Sequence, residues 1–166
     1  MGKGNPVNPN GHRTAYLWEE TFSKESWASI IQHFMLLEGK DSDPLNKKFY
    51  IFPRYHQLDV VQQLIADVRK EGVGNTYLVQ HSAGSGKSNS ITWTAFQLIE
   101  VEDQQGTPLF DSVIVVTDRR VLDRQLRDNI KSFSEVKNII GAAFSSSDLR
   151  LALESGKRIV ITTIQK

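Results

Sequence analysis

The sequence predicts an α/β protein in which helices flank a parallel sheet, entered through a helical N-terminal preface. Three observations predict it. Residues 112–117 (SVIVVT) are almost wholly apolar, the pattern of a parallel strand covered on both faces, and 158–163 (RIVITT) read as another buried-type strand. Helical and strand-like patterns alternate along the chain, which is the order of a doubly wound sheet. A glycine-containing loop at 81–86 (HSAGSG) joins a short β-rich run to a helix.

Residues 1–12 (MGKGNPVNPNGH) carry three Gly, two Pro and three Asn, too little apolar surface to offset ordering entropy, so a flexible lead-in is expected. Trp27, Ile30, Ile31, Phe34 and Leu37 then follow helical spacing, the stripe of a packing helix. Residues 39–48 (GKDSDPLNKK) are polar and turn-forming and mark the one internal boundary. The expected organisation is a lead-in at 1–12, a helical linker at 13–48 and the main domain at 49–166.

Within that domain, 57–70 reads as a helix on Leu58, Val61, Leu64, Ile65 and Val68, closed by Gly72 and Gly74. Residues 76–80 (TYLVQ) read as a strand, and the loop after them opens a helix to about Glu100. A polar loop at 102–108 leads into the 112–117 strand. A helix over 120–133, a weaker strand within 136–144, a helix capped by Ser147 and ending at Glu154, and the 158–163 strand complete the pattern.

Composition narrows the function. The 166 residues are 39% hydrophobic and 23% charged, an ordinary globular mixture able to form a sizeable core. Twenty Lys and Arg against nineteen Asp and Glu leave a net charge of +1, so any nucleic-acid-binding surface must be local. There is no cysteine, which excludes disulfides, thiol nucleophiles and cysteine zinc sites and fits a reducing cytoplasm. No run reaches the length of a membrane span, and residues 1–11 lack the charged tip and apolar stretch of a signal peptide. A cytoplasmic protein without membrane contact is expected.

The strongest chemical signal is AGSGKS at 83–88, between a strand pattern and a helix pattern. Glycines let the backbone wrap closely enough to aim successive N–H groups at phosphate oxygens, and the helix N-terminus adds its positive end. Lys87 would place its charge on the β- and γ-phosphates, and the Ser88 hydroxyl would ligate Mg²⁺. His81 stands where the strict pattern GxxxxGK[ST] has its first Gly. The strand, loop and helix context supports a phosphate loop nonetheless.

Upstream, FPRYHQ at 52–57 precedes a helix. The Gln57 amide, both donor and acceptor, can pair with the N6-amino group and N7 of adenine and so select ATP. Residue types alone leave a second reading open, in which Gln57 is an exposed helix-start residue and Phe52 and Tyr55 are core.

These stretches, with VVTDRRVLDRQ at 115–125 and TTIQK at 162–166, resemble successive motifs of the restriction (R) subunit of type I restriction-modification enzymes. GHRTAYLWEE at 11–20 is also similar to the segment before that subunit's motor. The resemblance covers nearly the whole chain, and His81 fits the family's own version of the loop. It implies a superfamily 2 helicase-like motor of two RecA-like lobes, joined to a nuclease domain, that uses ATP to pull duplex DNA. This chain would be most of lobe one, an incomplete P-loop (RecA-like) parallel sheet. Partners would be double-stranded DNA, the rest of the R subunit, and the methylation and specificity subunits, the last of which chooses the target.

Carried over by resemblance, Arg54 and Gln57 match the adenine-reading motif. Ser82, Ala83, Gly84, Ser85, Gly86, Lys87, Ser88 and Asn89 match the nucleotide-binding loop, with Lys87 as the catalytic group and Ser88 on the metal. Thr117, Arg119, Arg120 and Arg124 match the motif that touches the DNA backbone, and Thr162 and Thr163 the next DNA-contacting motif. The residues add an argument of their own. On a helix from about Arg120, Arg120, Arg124, Arg127 and Lys131 share one arc while Leu122, Leu126, Ile130 and Phe133 share another. That ridge also reads as a solvated face, with Asp123/Arg127 and Arg124/Asp128 as i, i+4 pairs.

Two other constellations carry nothing. Glu135-Val136-Lys137 matches the tail of a metal-dependent nuclease site, but no suitably framed Asp-bearing strand precedes it. His12, His33, His56 and His81 lack metal-ligand spacing.

Hydrolysis in such a motor needs an acidic residue on a further strand and an Arg from the second lobe, neither of which is found here. The chain is therefore expected to be an interrupted-gene product or an excised piece, inactive alone, with an incomplete sheet prone to association. A small-molecule P-loop kinase would need an acceptor site and an Arg-rich lid, and the sequence offers neither. A non-catalytic nucleotide- or DNA-binding adaptor is the other alternative.

Overall fold

Residues 8–38, 43–118 and 139–164 are described by the computed structural model, in which helices flank a three-stranded parallel sheet. This α/β arrangement is that of a RecA-like fragment. The preface opens with a π-helical turn, Leu17–Thr21, followed by helix α1, Lys24–Ser29. Ser23 caps α1 by accepting the Ser26 N–H at 3.3 Å, supplying a partner to one of the first-turn amides that no helix can satisfy internally. The helix runs on into a second π-helical turn, Ile30–Phe34.

Of the apolar stripe expected on this segment, Ile30 and Phe34 are fully buried, while Trp27, Ile31 and Leu37 stay partly exposed. The Phe34 ring meets Trp93 with centroids 5.5 Å apart. A polar stretch separates the two in sequence, yet both belong to one core with Ile30, Leu58, Val61, Ile65, Val68 and Val101. Truncating either ring to Ala would remove about 3–5 kcal/mol of stability, the usual cost of deleting a buried aromatic.

Strands β1, Leu36–Glu38, and β2, Phe49–Ile51, pair antiparallel, with Leu36 opposite Ile51. Three-residue strands are too short to show a period, so this hairpin left no pattern in the sequence. Helix α2, Tyr55–Glu71, presents Leu58, Val61, Ile65 and Val68 at helical spacing to the core. It ends at Gly72, whose φ of +76° is open to glycine at little cost. Helix α3, Lys87–Leu98, lies between this core and the sheet: Trp93 joins the α2 side, and Ala95, with Ile99 just beyond the helix, joins Val115, Ile159 and Ile161.

The sheet order is β3 (Val113–Thr117), β5 (Ile159–Thr163), β4 (Ile140–Ala142), all parallel. The central strand buries Ile159, Val160 and Ile161 completely, as its unbroken apolar run requires. Helix α4, Ser146–Glu154, covers the second face, where Ala143, Ala152 and Val160 cluster. Arg158 ties the layers at the base of β5, its guanidinium donating to the carbonyls of Ile99 and Phe110. The Ile99 carbonyl is the first residue past α3, where a cation complements the helix end.

Three expectations are corrected. Residues 76–80 are not in any ladder among the described residues; they run exposed, with Leu78 94% accessible. Strand propensity needs a partner edge to become a strand, and among the described residues none pairs with this run. Second, β3 is not covered on both faces, since Ile114 and Val116 are 45% and 54% accessible on an edge strand. Third, the cap of α4 is Ser145, which accepts the Asp148 N–H at 3.1 Å, and Ser147 lies one turn-position inside the helix. The helix expected over 120–133 lies outside the described residues.

Candidate functional site

The loop at 81–86 leaves the exposed run and enters α3 at Lys87. Its conformation follows from two glycines, Gly84 at φ +73° and Gly86 at φ +80°, values that L-residues adopt only at a cost. Around Gly84 the position of an added Cβ is open space, so the loop is uncovered there. Around Gly86 that position is taken by the Gln57 side chain. No positive φ occurs at residue 81, which explains why His81 replaces the first Gly of the strict pattern without strain.

Helix α2 holds the loop from behind. Gln57 is buried, and its Nε2 donates to the carbonyls of Ser85 at 3.3 Å and Gly86 at 2.9 Å, while its Oε1 accepts the Arg54 backbone N–H at 2.9 Å. His56 Nε2 lies 3.0 Å from the Ser85 carbonyl oxygen, and its ring meets the ring of His81 edge-on at 5.2 Å. Beside them, burial pushes the Tyr55 phenol above its ordinary pKa, with Asp59, Glu20 and Tyr16 adding to the shift.

The front of the loop carries the charge. Lys87 is exposed, and its ammonium donates to the carbonyls of His81 at 3.2 Å and Ser82 at 2.7 Å, closing the loop on itself. No acidic residue stands in the first turn of α3, so the positive end of that helix is not neutralised by its own side chains. The Ser85 hydroxyl of the same loop is buried without a hydrogen-bond partner. Donors, an uncovered glycine and a free helix end are what a phosphate chain requires, so these residues fit one.

The structure brings Arg54, Gln57 and the 82–89 segment together. Arg54 is the exposed residue before α2, Ser82 and Ala83 are exposed, and Ser88 and Asn89 are half-buried in the first turn of α3. Thr117 and Thr163 are register partners at the C-terminal ends of β3 and β5, the sheet end where α/β proteins receive ligands. The Thr117 hydroxyl is buried without a partner, and the Thr162 hydroxyl donates to the Ala143 carbonyl at 3.3 Å. Arg119, Arg120 and Arg124 lie outside the described residues.

Sequence reasoning placed His81 in the loop and His56 in the upstream motif, but it missed the hydrogen bond of His56 to the Ser85 carbonyl and its ring contact with His81. The signal was available in the direct adjacency of His56 to Gln57. Among the described residues no three His, Cys, Asp or Glu are grouped to hold a metal ion, and no helix is long and apolar enough to cross a membrane.

A family model described as SWI2/SNF2 ATPase matches residues 56–166, more than half of the chain and the whole of the loop and sheet. No curated protein and no solved structure matches.

Proposed function

The chain belongs to the SWI2/SNF2 ATPase family, and from that premise we propose that it is the ATP-binding part of the DNA-translocating R subunit of a type I restriction enzyme. Family membership brings a helicase-like, ATP-using domain of a kind that typically binds DNA. The narrower reading rests on the run of motifs FPRYHQ, HSAGSGKS, VVTDRRVLDRQ and TTIQK, which succeed one another as in that subunit. The observation that carries it is the contact between the first and second of these motifs, where Gln57 holds the two carbonyls ahead of Lys87.

In this reading the amides at the start of α3 and the Lys87 ammonium hold the triphosphate, the latter by leaving the His81 and Ser82 carbonyls. Ser88 is the loop's ligand to Mg²⁺, which when bound neutralises charge between the phosphates. Arg54 is the residue left to read the adenine, because the buried Gln57 amide is committed to the Ser85 and Gly86 carbonyls and to the Arg54 N–H. By the motif resemblance Thr117, Thr162, Thr163, Arg119, Arg120 and Arg124 belong to double-stranded DNA; of the three threonines Thr163 is the one left partly open at the sheet end, Thr117 and Thr162 being buried. The methylation and specificity subunits complete the complex in the cytoplasm.

Calorimetric titration of the folded chain with Mg·ATP, with Mg·GTP, and of the Lys87→Ala variant with Mg·ATP tests the reading. Binding that prefers ATP and is lost in the variant is expected. A folded chain that binds neither nucleotide, or that binds ATP equally well without Lys87, overturns it.

A further inference from the structure

We propose that His56 is a positioning residue for the phosphate loop, fixing the Ser85 carbonyl and thereby aiming the Gly86 amide into the cradle. The proposal deepens the nucleotide-binding reading above and rests on it.

Two consecutive side chains at the start of α2, His56 and Gln57, reach the two consecutive carbonyls of Ser85 and Gly86. A carbonyl oxygen only accepts, so His56 must present a protonated Nε2 to it, and the neutral ring is the Nε2–H tautomer. A trans peptide is planar, and its C=O and N–H point in opposite directions. Holding the Ser85 carbonyl toward α2 therefore turns the Gly86 N–H away from α2. Holding the Gly86 carbonyl does the same for the Lys87 N–H. These are the amides a phosphate oxygen would meet ahead of the helix.

His56 contributes something that Gln57 does not. Gln57 reaches the Gly86 carbonyl at 2.9 Å but the Ser85 carbonyl only at 3.3 Å, whereas His56 reaches the latter at 3.0 Å. The imidazole is thus the shorter of the two holds on the Ser85–Gly86 peptide plane. Gly86 sits at φ +80°, where glycine has the freedom to turn, so an untethered plane would be the loose hinge of the cradle. The His81 ring, edge-on at 5.2 Å, supports the imidazole from the other end of the same loop. That gives residue 81 a use for a side chain at a position the strict pattern leaves to glycine.

The test uses the full chain with two substitutions. His56→Phe keeps a ring against His81 and removes the donor; His56→Gln places an amide nitrogen at the reach of Nε2. His56→Phe is expected to weaken Mg·ATP binding about fivefold, the worth of one ordinary hydrogen bond, and His56→Gln to return within about twofold of the unaltered chain. Thermal midpoints show that both variants are folded. Equal affinities in all three chains, or equal losses in both variants, overturn the proposal.

A second arm needs no nucleotide. Imidazole ¹⁵N spectra should show His56 as the Nε2–H tautomer, and the Gly86 amide resonance should move in His56→Phe and return in His56→Gln. An Nδ1–H tautomer, or a Gly86 amide indifferent to both changes, overturns it. Should the unaltered folded chain fail to bind Mg·ATP, the nucleotide reading falls by itself, and this arm still decides the role of His56 in the loop.

Discussion

The side chain of Gln57 and the backbone of Gly86 occupy each other's space: the Gln57 amide donates to the Gly86 carbonyl at 2.9 Å, and a Cβ at Gly86 would collide with the same nitrogen. The glycine is thus required twice, once by its φ of +80° and once by the close approach of α2. Gly84 has a similar φ of +73° but open space around it.

The two glycines should therefore respond differently to the same substitution. Gly84→Ala is expected to cost about 1–2 kcal/mol, the ordinary penalty of a left-handed L-residue. Gly86→Ala adds the displacement of the buried Gln57 amide from its carbonyl partners, at about 1–3 kcal/mol more. Urea unfolding of both variants reads the difference. In the double variant with Gln57→Ala, part of the Gly86→Ala cost should vanish, because the colliding group is gone. Strict additivity would mean that the two residues do not meet in solution.

How much of this was legible follows from the range over which each signal acts. Helix α2 was plain, because Leu58, Val61, Ile65 and Val68 repeat over about three turns and Gly72 ends the helix. The strands at 113–117 and 159–163 were plain too, as uninterrupted apolar runs. The 76–80 run is also rich in strand-forming residues but stands outside the sheet, since pairing is decided by a neighbour and not by the run itself. The burial of Phe34 against Trp93 across a polar stretch is likewise a tertiary fact. Within the site, Lys87 and the glycines announced themselves by spacing. The grip of His56 and Gln57 on the loop did not, because those contacts join residues nearly thirty positions apart.

The exposed face of β3 should make the chain associate. Ile114 and Val116 alternate with the buried Val115 and Thr117, so they stand together on one side of an edge strand that pairs only with β5 among the described residues. Such edges template further pairing, and natural proteins blunt them with charge. Val116→Lys is expected to shift the chain toward monomer in sedimentation velocity while changing stability by no more than about 0.5 kcal/mol, as for other surface substitutions. An unchanged association profile would place the contact on another surface.

The exposed 76–80 run is tethered to α2 by one bond, from the Tyr77 hydroxyl to the Asp67 carboxylate at 2.7 Å. That bond needs the phenol protonated, and it raises the Tyr77 pKa above the ordinary 10.0, with its small burial and the charges of Asp67 and Glu71 adding to it and Asn75 opposing. A folded-state pKa raised above the unfolded one contributes stability that is complete below the unfolded value and disappears as pH rises through the folded value. The tether is therefore fully present at neutral pH and is lost only above pH 10.0. Ultraviolet titration of tyrosinate should find, besides Tyr55, a second phenol ionising above the ordinary value, and only that second one returns toward it in Asp67→Ala. The same variant should speed hydrogen exchange or proteolysis at 76–80 at neutral pH, where the unaltered chain is still tied down. If neither the titration nor the exchange changes, the Tyr77–Asp67 bond does not hold this run, and its path beside α2 is set by the 81–86 loop that follows it.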